Sequence, residues 1–210
     1  MHRVLIENSG HTFDVRPSQT VLEAAIQAGI NLPYGCRNGA CGACKGKILT
    51  GKVSFMAGQY IEFLLKDGRR RAFSIANAPH ESGFIELHIR LIEGGHFTEQ
   101  VFHALPVKTI LRIEAPLGSF YLREQSEKPI IMVAGGTGFA PVKGMIEHML
   151  FKQIQRPVML YRGARHANDL YMDAVCQRWA QFMPNIQYIP VVSNGSDQDG
   201  WQGRRGLVHQ

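Results

Sequence analysis

The chain has 210 residues, 45% of them apolar, and a formal net charge of +6 at pH 7. This length suits one or two domains with a buried core, whereas three complete domains would be tight. The basic residues are scattered, which argues against nucleic-acid binding. The positive charge indicates either a solvated surface or one that attracts acidic proteins and phosphate-bearing cofactors. Because the sequence shows no secretory signal and no run of about 18 apolar residues, we expect a cytoplasmic protein without a membrane anchor.

The first 53 residues predict a small β-grasp unit. Two short apolar runs flank the turn Ser9-Gly10 and predict a hairpin. Thr20 and Glu23 have the spacing of a capping box, so a helix is expected after the hairpin. A Gly-rich loop over 34–44 and a strand near 47–49 complete the pattern.

Three of the four cysteines, Cys36, Cys41 and Cys44, lie within nine residues. Such clustering favours metal or redox chemistry over disulfides. The spacing C-x4-C-x2-C is the plant-type pattern for a [2Fe-2S] cluster, whose fourth cysteine comes later in the chain. A structural zinc site is the alternative, but it favours two C-x2-C pairs and the chain has one. The pattern therefore favours a cluster, with three visible ligands.

The remaining cysteine, Cys176, lies far along the chain in a predicted helix. Val175 and Trp179 share its helical face. A buried cysteine behaves as a small hydrophobic side chain. We therefore expect Cys176 in a core, and the fourth cluster ligand is not identified.

The middle of the chain has the pattern of antiparallel strands. Runs at 60–65 and 72–76 flank Asp67-Gly68, a strong hairpin signal. Apolar and polar side chains alternate over 85–91 and 111–114, as in half-buried strands. This stretch predicts part of an antiparallel barrel.

The second strand of this hairpin carries a possible flavin motif. Arg71, Phe73 and Ser74 supply a cation, an aromatic ring and a hydroxyl, although a plain barrel strand explains them almost as well. Flavin binding has a use for each, because arginine binds phosphate, a ring flanks the isoalloxazine, and serine hydrogen-bonds near the reactive nitrogen. Gly94 and Gly95 open a short predicted helix whose free N–H groups suit a pyrophosphate.

From residue 130 onward, strands and helices alternate, which predicts a parallel sheet. The predicted strands cover 130–134, 158–161 and 188–192, and the predicted helices cover 142–151 and 169–182. The turn Gly135-Gly136-Thr137-Gly138 follows the first strand, where an open α/β sheet binds the phosphates of a dinucleotide. Pro141 replaces the last glycine of the usual G-x-G-x-x-G pattern, so a plain turn stays an open alternative.

Together these motifs resemble the ferredoxin-containing, ferredoxin–NADP reductase-like flavoproteins. That family includes the reductase components of phenol and benzoate oxygenases and reductases of deoxysugar synthesis. The resemblance rests on the segments 32–44, 58–60, 71–79, 94–98, 116–118, 135–141 and 169–171. It implies three modules in α+β and α/β folds: a partial 2Fe-2S ferredoxin domain over 1–53, a partial FAD-binding barrel over 54–124, and a partial Rossmann-like NAD(P)-binding domain over 125–210.

The resemblance also implies roles for individual residues. The iron ligands would be Cys36, Cys41 and Cys44. The FAD contacts would be Arg71, Phe73 and Ser74, with Gly94, Gly95 and Thr98 at the pyrophosphate. The NAD(P)H contacts would be Gly135, Gly136, Thr137 and Gly138, with Arg165 and Asp169 near the ribose. Ser74 and Thr137 are the catalytic candidates.

The implied function is electron transfer from NAD(P)H through FAD and a [2Fe-2S] cluster to a partner oxygenase or dehydratase. Two alternatives stay open: a cluster-free NAD(P)H–flavin reductase, and a remnant that binds iron or a partner without turnover. Here 47–53 runs almost directly into 55–60, where the family has the rest of the ferredoxin domain, the fourth cysteine and the first barrel strands. We therefore expect a missing internal segment, and an end before the family's Cys-Gly-x-Pro segment and aromatic tail.

Overall fold

The computed structural model describes residues 2–6, 9–16, 19–32, 54–81, 83–195 and 200–209. The chain divides into two compact units, Met1–Lys52 and Val53–Gln210, which are described separately. The predicted cysteine loop and the predicted strand near 47–49 lie outside the described residues. Within the described ranges, no helix combines the length and apolarity needed to cross a membrane.

The first unit contains the predicted hairpin and helix. Strand β1 (His2–Ile6) pairs antiparallel with β2 (His11–Val15), and α1 spans Val21–Gln27. The backbone N–H of Glu23 donates to Thr20 Oγ1 at 3.1 Å, and the Thr20 N–H donates to the Glu23 carboxylate at 2.9 Å. This confirms the capping box. The small core consists of Phe13, Val15, Ala24 and Ala25.

The second unit begins with a three-stranded antiparallel sheet in the order β4-β3-β5. Its strands are β3 (Tyr60–Leu64), β4 (Arg70–Ser74) and β5 (Ile113–Leu117). Between β4 and β5, α2 (His96–Glu99) continues into a π-helical turn (Gln100–Ala104). The predicted hairpin and partial antiparallel sheet are confirmed. The core of this sheet is small: Ile61, Phe63, Ile75 and Phe97.

Two sequence predictions for this sheet are wrong. The segment 85–91 is not a half-buried strand. Its strand pairing consists of one isolated bridge, between Ile75 and Leu87, and its other side borders a cleft. The segment 111–114 reaches into β5 at Ile113, but it is not half-buried, because Leu111 and Ile113 are each 41% exposed. Among the described residues the sheet has three strands.

The rest of the second unit is a parallel sheet, as predicted, in the order β6-β7-β8-β9. The strands are β6 (Ile130–Gly135), β7 (Val158–Ala164), β8 (Ile186–Val192) and the short β9 (Arg204–Arg205). Helices α3 (Phe139–Phe151) and α4 (Asp173–Phe182) connect the first three strands. Because these strands follow chain order, right-handed crossovers place both helices on one face. The main core lies between those helices and the sheet.

The helix limits differ from the sequence prediction at two points. Helix α3 begins at Phe139, before the predicted residue 142, because Pro141 is tolerated in the first turn of a helix. The predicted helix over 169–182 is interrupted, because Met172 has the left-handed φ of 57° and α4 starts only at Asp173. The expected core position of Cys176 is confirmed, since its side chain is fully buried.

Candidate functional site

A cleft of about 1100 Å³ lies at the carboxyl ends of β6 and β7. Its walls are formed by residues 86–90, 136–137, 163–166, 168–169, 171–172, 193 and 206–209. The carboxyl ends of parallel strands are where open α/β sheets bind nucleotides. The cleft is also large enough for a cofactor.

The glycine turn at the end of β6 is open toward solvent. A Cβ atom on Gly138 would meet no atom within 4 Å, and one on Gly135 would approach only Gly163 O, at 3.9 Å. In contrast, a Cβ atom on Gly144 would lie 2.9 Å from Asn77 O. Packing within the protein therefore requires glycine at 144 but not at 135 or 138. A ligand that approaches the backbone closely would require glycine at positions 135 and 138. The turn therefore fits a dinucleotide phosphate.

The structure brings four of the predicted nucleotide residues to this cleft. Gly136, Thr137, Arg165 and Asp169 all line it. The Asp169 carboxylate accepts the backbone N–H of His166 at 3.0 Å, which fixes the loop after β7. Gly135 and Gly138 belong to the same turn but do not line the cleft.

The predicted flavin residues Arg71, Phe73 and Ser74 lie on β4, outside the cleft lining. Residue 75, directly after Ser74, bridges to Leu87 in the cleft wall, so the end of β4 adjoins the cleft. The Phe73 ring packs 5.5 Å from the Phe97 ring, centroid to centroid. Part of the Phe73 ring is therefore covered by the small core.

Arg71 differs from the two arginines before it. Arg69 pairs with Asp67 at 2.5 Å, and Arg70 pairs with a glutamate of β3 and a glutamate of β5. No carboxylate of the described residues pairs with Arg71, whose guanidinium donates to the Arg70 carbonyl at 2.8 Å. Its charge and remaining donors are available to a phosphate, so Arg71 fits a flavin nucleotide.

The segment around Gly94 and Gly95 is a tight turn that leads into α2. Gly94 has a φ of 71°, and a Cβ atom on Gly95 would lie 2.8 Å from Ile92 O. The Thr98 hydroxyl accepts the Ile92 N–H and donates to the Ile92 carbonyl, both at 3.1 Å. The turn itself thus accounts for these residues, and their pyrophosphate role stays a prediction.

The sequence analysis did not predict the hydrogen-bonded group that Glu86, His88 and Tyr171 form in the cleft. His88 Nδ1 lies 2.8 Å from Tyr171 Oη, and His88 Nε2 lies 2.9 Å from Glu86 Oε1. All three residues line the cleft. The available signal was the alternation of Glu86, His88 and Arg90, which we interpreted as the solvent side of a strand.

Lys143 of α3 connects this group to a second carboxylate. Its ammonium donates to Glu86 at 3.1 Å and to Glu147 at 2.9 Å. Burial by itself would raise the pKa of Glu86, but hydrogen bonds from His88 and Lys143 outweigh burial and lower it. Burial opposes the charge of Lys143, yet its bonds to Glu147 and Glu86 raise its pKa. The Glu86–Lys143 ion pair is therefore charged at neutral pH.

Tyr171 is held by buried neighbours. Arg162, only 2% exposed, donates to the Tyr171 carbonyl at 2.8 Å. The Arg162 guanidinium also lies 3.9 Å from the centroid of the Phe139 ring, a favourable cation–π distance. Burial raises the pKa of the Tyr171 hydroxyl to about 12. The hydroxyl therefore keeps its proton at neutral pH.

Helix α3 and the cleft wall are held at a fixed spacing by a close backbone approach. Gly144 permits the contact with Asn77, which is fully buried. Asn77 Oδ1 in turn accepts the backbone N–H of Glu86 at 2.8 Å. This arrangement positions Glu86 and His88 relative to the helix that follows the glycine turn.

Cys36, Cys41 and Cys44 lie outside the described residues. Cys176 is buried in the main core, where burial raises the pKa of its thiol, which disfavours a thiolate ligand. In the part of the chain that the structure describes, no three His, Cys, Asp or Glu side chains are grouped to hold a metal ion.

Three family models match the chain. The 2Fe-2S iron-sulfur cluster binding domain matches residues 4–76, the oxidoreductase FAD-binding domain matches 47–121, and the oxidoreductase NAD-binding domain matches 132–210. A relative from Yersinia pestis, the CDP-6-deoxy-L-threo-D-glycero-4-hexulose-3-dehydrase reductase, is 32% identical over 99% of this chain and 84% of its own length. The chain belongs to the iron–sulfur flavoprotein reductases of the ferredoxin–NADP reductase type. The reductase thus has binding domains for a [2Fe-2S] cluster, FAD and a nicotinamide dinucleotide.

Two other known proteins are similar to this reductase. The NAD(P)H-flavin reductase of Aliivibrio fischeri is 38% identical over 74% of this chain and 67% of its own length. The crystal structure of the Amycolatopsis cytochrome P450 reductase GcoB superposes with a TM-score of 0.68 at 26% identity, covering 94% of this chain and 82% of that one.

The alignment with the Yersinia reductase spans 281 positions, 71 more than the 210 residues of this chain. At least 71 positions of the relative therefore have no counterpart here. Because these gaps lie inside the aligned region, they agree with the expected missing internal segment.

Proposed function

We propose that this reductase passes electrons from NAD(P)H, through FAD and a [2Fe-2S] cluster, to a partner oxygenase or dehydratase. The observation that carries the proposal is the open glycine turn at the cleft, at the carboxyl end of β6. No packing contact within the protein requires glycine at positions 135 and 138. The close approach of a bound dinucleotide would require glycine at both positions. FAD, when bound, converts a two-electron donor into a source of single electrons.

In this proposal the turn from Gly135 to Gly138 binds the dinucleotide, and Gly135 and Gly136 admit its phosphates. Thr137 and Gly138 face the nicotinamide end, and the exposed position of Thr137 in the cleft supports that role. Arg165 and Asp169 line the same cleft and would lie near the ribose.

The proposed flavin contacts come from β4 and the turn before α2. Arg71 would bind a phosphate, supported by its lack of a carboxylate partner among the described residues. Phe73 would flank the isoalloxazine with the exposed part of its ring. Ser74 would hydrogen-bond to the flavin, supported by its position next to the cleft wall. Gly94, Gly95 and Thr98 would lie beside the pyrophosphate as the turn that leads into α2, where the Gly95 N–H and the Thr98 hydroxyl bond within the turn.

The proposed cluster ligands are Cys36, Cys41 and Cys44, within a ferredoxin module over 1–53. The FAD and NAD(P) modules would cover 54–124 and 125–210. The ferredoxin and FAD-binding models overlap over 47–76, which supports a shortened junction there.

The proposed partner is an oxygenase or a dehydratase. One similar protein is a dehydrase reductase and another is a cytochrome P450 reductase. The net charge of +6 supports an acidic partner surface.

A second candidate function is a cluster-free NAD(P)H–flavin reductase. It is favoured by the similarity to the Aliivibrio enzyme and by the position of the cleft within the second unit, Val53–Gln210. In that case NAD(P)H would reduce the flavin without a cluster.

Anaerobic reconstitution with iron, sulfide and FAD separates the candidates. We expect bound FAD in the visible spectrum and, after chemical reduction, the electron paramagnetic resonance signal of a two-iron cluster. Bound FAD that NAD(P)H reduces without a cluster signal would favour the flavin reductase. A chain that binds neither FAD nor a cluster would contradict both candidates. It would favour the remaining alternative, a remnant that binds iron or a partner without turnover.

A further inference from the structure

Five ionisable side chains form a continuous hydrogen-bonded chain from the cleft to the surface of α3. In order they are Tyr171, His88, Glu86, Lys143 and Glu147, joined by distances of 2.8, 2.9, 3.1 and 2.9 Å. The first three line the cleft, and the route reaches solvent at Glu86 and at Glu147, whose side chains are 32% and 26% exposed. The glycine turn and the flavin motif include none of the five.

The proposed reaction releases a proton inside the cleft. NAD(P)H gives a hydride, which is two electrons and one proton, and each one-electron acceptor removes a single electron. The balanced result is NAD(P)+, two reduced acceptors and one proton. A base within hydrogen-bonding reach speeds the removal of that proton.

We propose that Tyr171 and His88 take up this proton and that Glu86, Lys143 and Glu147 conduct it to solvent. This inference rests on the proposed function and adds the route of its proton.

The hydrogen-bond partners determine the direction of transfer. An ionised Glu86 only accepts hydrogen bonds, so it holds the proton of neutral His88 on Nε2 and leaves Nδ1 to accept the Tyr171 hydroxyl. When a proton from the cleft binds Tyr171 Oη, the phenol passes its own proton to His88 Nδ1. Tyr171 stays neutral, and His88 becomes an imidazolium beside the Glu86 carboxylate.

The second half of the route returns every group to its starting charge. His88 gives its Nε2 proton to Glu86, while Lys143 gives one proton to Glu147 and accepts the one on Glu86. The net change is one proton moved from the cleft to Glu147, which releases it to water. The cycle closes when the Tyr171 hydroxyl rotates and His88 exchanges protons with solvent water, losing the one on Nδ1 and gaining one on Nε2 with no change of charge.

The charged surroundings of His88 favour this route. Its direct partners are Glu86 and Tyr171. Lys143 and Glu147 on α3 connect to it through Glu86, and the Arg162 guanidinium of β7 lies 5.1 Å from the centroid of the Tyr171 ring. Burial raises the pKa of Glu147, which makes it a better proton acceptor than an ordinary surface glutamate. Because the pKa of Tyr171 is about 12, its hydroxyl acts as a neutral relay and not as a phenolate.

The chain offers matched controls. His148 Nε2 lies 3.0 Å from Glu124, and the His148 side chain is 7% exposed, close to the 10% of His88. His148 does not line the cleft. Tyr188, which bonds to Asp173 away from the cleft, is the control for Tyr171.

The first test measures turnover of the reconstituted holoenzyme in H2O and D2O. His88→Gln and Tyr171→Phe are each expected to lower kcat on the order of 10²-fold, with little change in KM for NAD(P)H and a larger solvent isotope effect. His148→Gln and Tyr188→Phe should keep the wild-type kcat and isotope effect. If His88→Gln and Tyr171→Phe also keep the wild-type kcat and isotope effect, the proton route is wrong while the proposed function stands.

The second test uses the FAD-free chain. Nitrogen-15 NMR of the imidazole rings, with the His88 signal assigned by its loss in His88→Gln, should show the Nε2–H tautomer. The Nδ1–H tautomer in the wild type would overturn the proposed order of hydrogen bonds. A holoenzyme that NAD(P)H does not reduce would instead overturn the proposed function, and with it the proton route, even if the tautomer is as expected.

Discussion

The two halves of the second unit, Val53–Gln210, differ in how completely they bury apolar side chains. In the parallel-sheet half, α3 and α4 cover one face of the sheet and form the main core. The antiparallel half has four buried core residues, and it exposes Val107 and Ile110 by 92% and 96%. The nucleotide half therefore has the larger core, and the flavin half has the smaller core and the most exposed apolar side chains, although β6 also exposes Ile131 and Val133 by 64% and 53%. The parallel-sheet half is called the packed half below, and the antiparallel half is called the open half. An exposed apolar surface of this kind favours association with a partner or aggregation.

This difference bears on the cleft, because each half supplies one wall. The packed half provides the glycine turn and the loop after β7, and the open half provides residues 86–90. The contact between Gly144 and Asn77 joins the two walls. We therefore expect dinucleotide binding to tolerate changes in the open half better than FAD binding does.

The largest effect should come from truncating a core residue of the packed half. Ile146 is fully buried, whereas Ile110 is 96% exposed. Ile146→Ala should lower the free energy of unfolding by about 2–5 kcal/mol, and Ile110→Ala should change it by less than about 0.5 kcal/mol. Urea denaturation of both variants measures the contrast, and equal losses would show that the Ile110 side chain is buried in solution.

The next effect concerns FAD affinity in the open half. Arg71→Met should weaken FAD binding by about 1.5–3 kcal/mol, the contribution of a hydrogen bond to a charged group. Arg69→Met is the control, because Arg69 already pairs with Asp67. Fluorescence titration with FAD gives both dissociation constants, and equal constants for the two variants would remove Arg71 from the flavin site.

A smaller effect is expected at the glycine turn. Gly138→Ala should leave thermal stability unchanged, since the added methyl meets no atom within 4 Å. It should weaken dinucleotide binding on the order of tenfold, about 1.4 kcal/mol. Gly83→Ala, which also meets no atom within 4 Å, should bind NAD(P)+ like the wild type in calorimetry. Normal binding by Gly138→Ala would mean that the dinucleotide does not approach this turn.

The smallest effect is the pH dependence of the ion pair between the two halves. The pKa of Glu86 is lowered on folding, so its stabilising contribution is present above its unfolded pKa and is lost as pH falls through the folded value. The pKa of Lys143 is raised, so its contribution is lost only when pH rises through that raised value. Because solvent screens a partly exposed pair, we expect Glu86→Gln to lose about 1 kcal/mol at pH 7.

Urea denaturation at several pH values checks this pair. The difference between wild type and Glu86→Gln should shrink toward zero as the solution is acidified below the ordinary glutamate range. The exposed Glu127, changed to glutamine, is the control. A difference that stays constant in acid would show that the Glu86 carboxylate does not contribute through its charge.

The sequence predicted those features that depend on local patterns. The hairpin of the first unit, the capping box at Thr20 and the parallel sheet all follow from spacing or periodicity, and the structure confirms them. The glycine turn was also placed correctly at the end of β6.

Features that depend on distant contacts were missed. The alternation at 85–91 predicted a strand, but strand pairing depends on partner residues that the local sequence does not specify. In this segment, Leu87 forms an isolated bridge with Ile75. The contact between His88 and Tyr171 joins residues 83 positions apart. The break at Met172 is likewise invisible in periodicity, because the apolar spacing continues through it.

The most direct test of the account is an anaerobic titration of the reconstituted chain with NAD(P)H, followed by visible absorbance and electron paramagnetic resonance together. We predict that NAD(P)H bleaches the flavin absorbance and then produces the signal of a reduced two-iron cluster. The wild-type chain should respond at lower NAD(P)H concentrations than Gly138→Ala. Loaded protein whose flavin absorbance stays unchanged with excess NAD(P)H would contradict the proposed entry of electrons through this cleft.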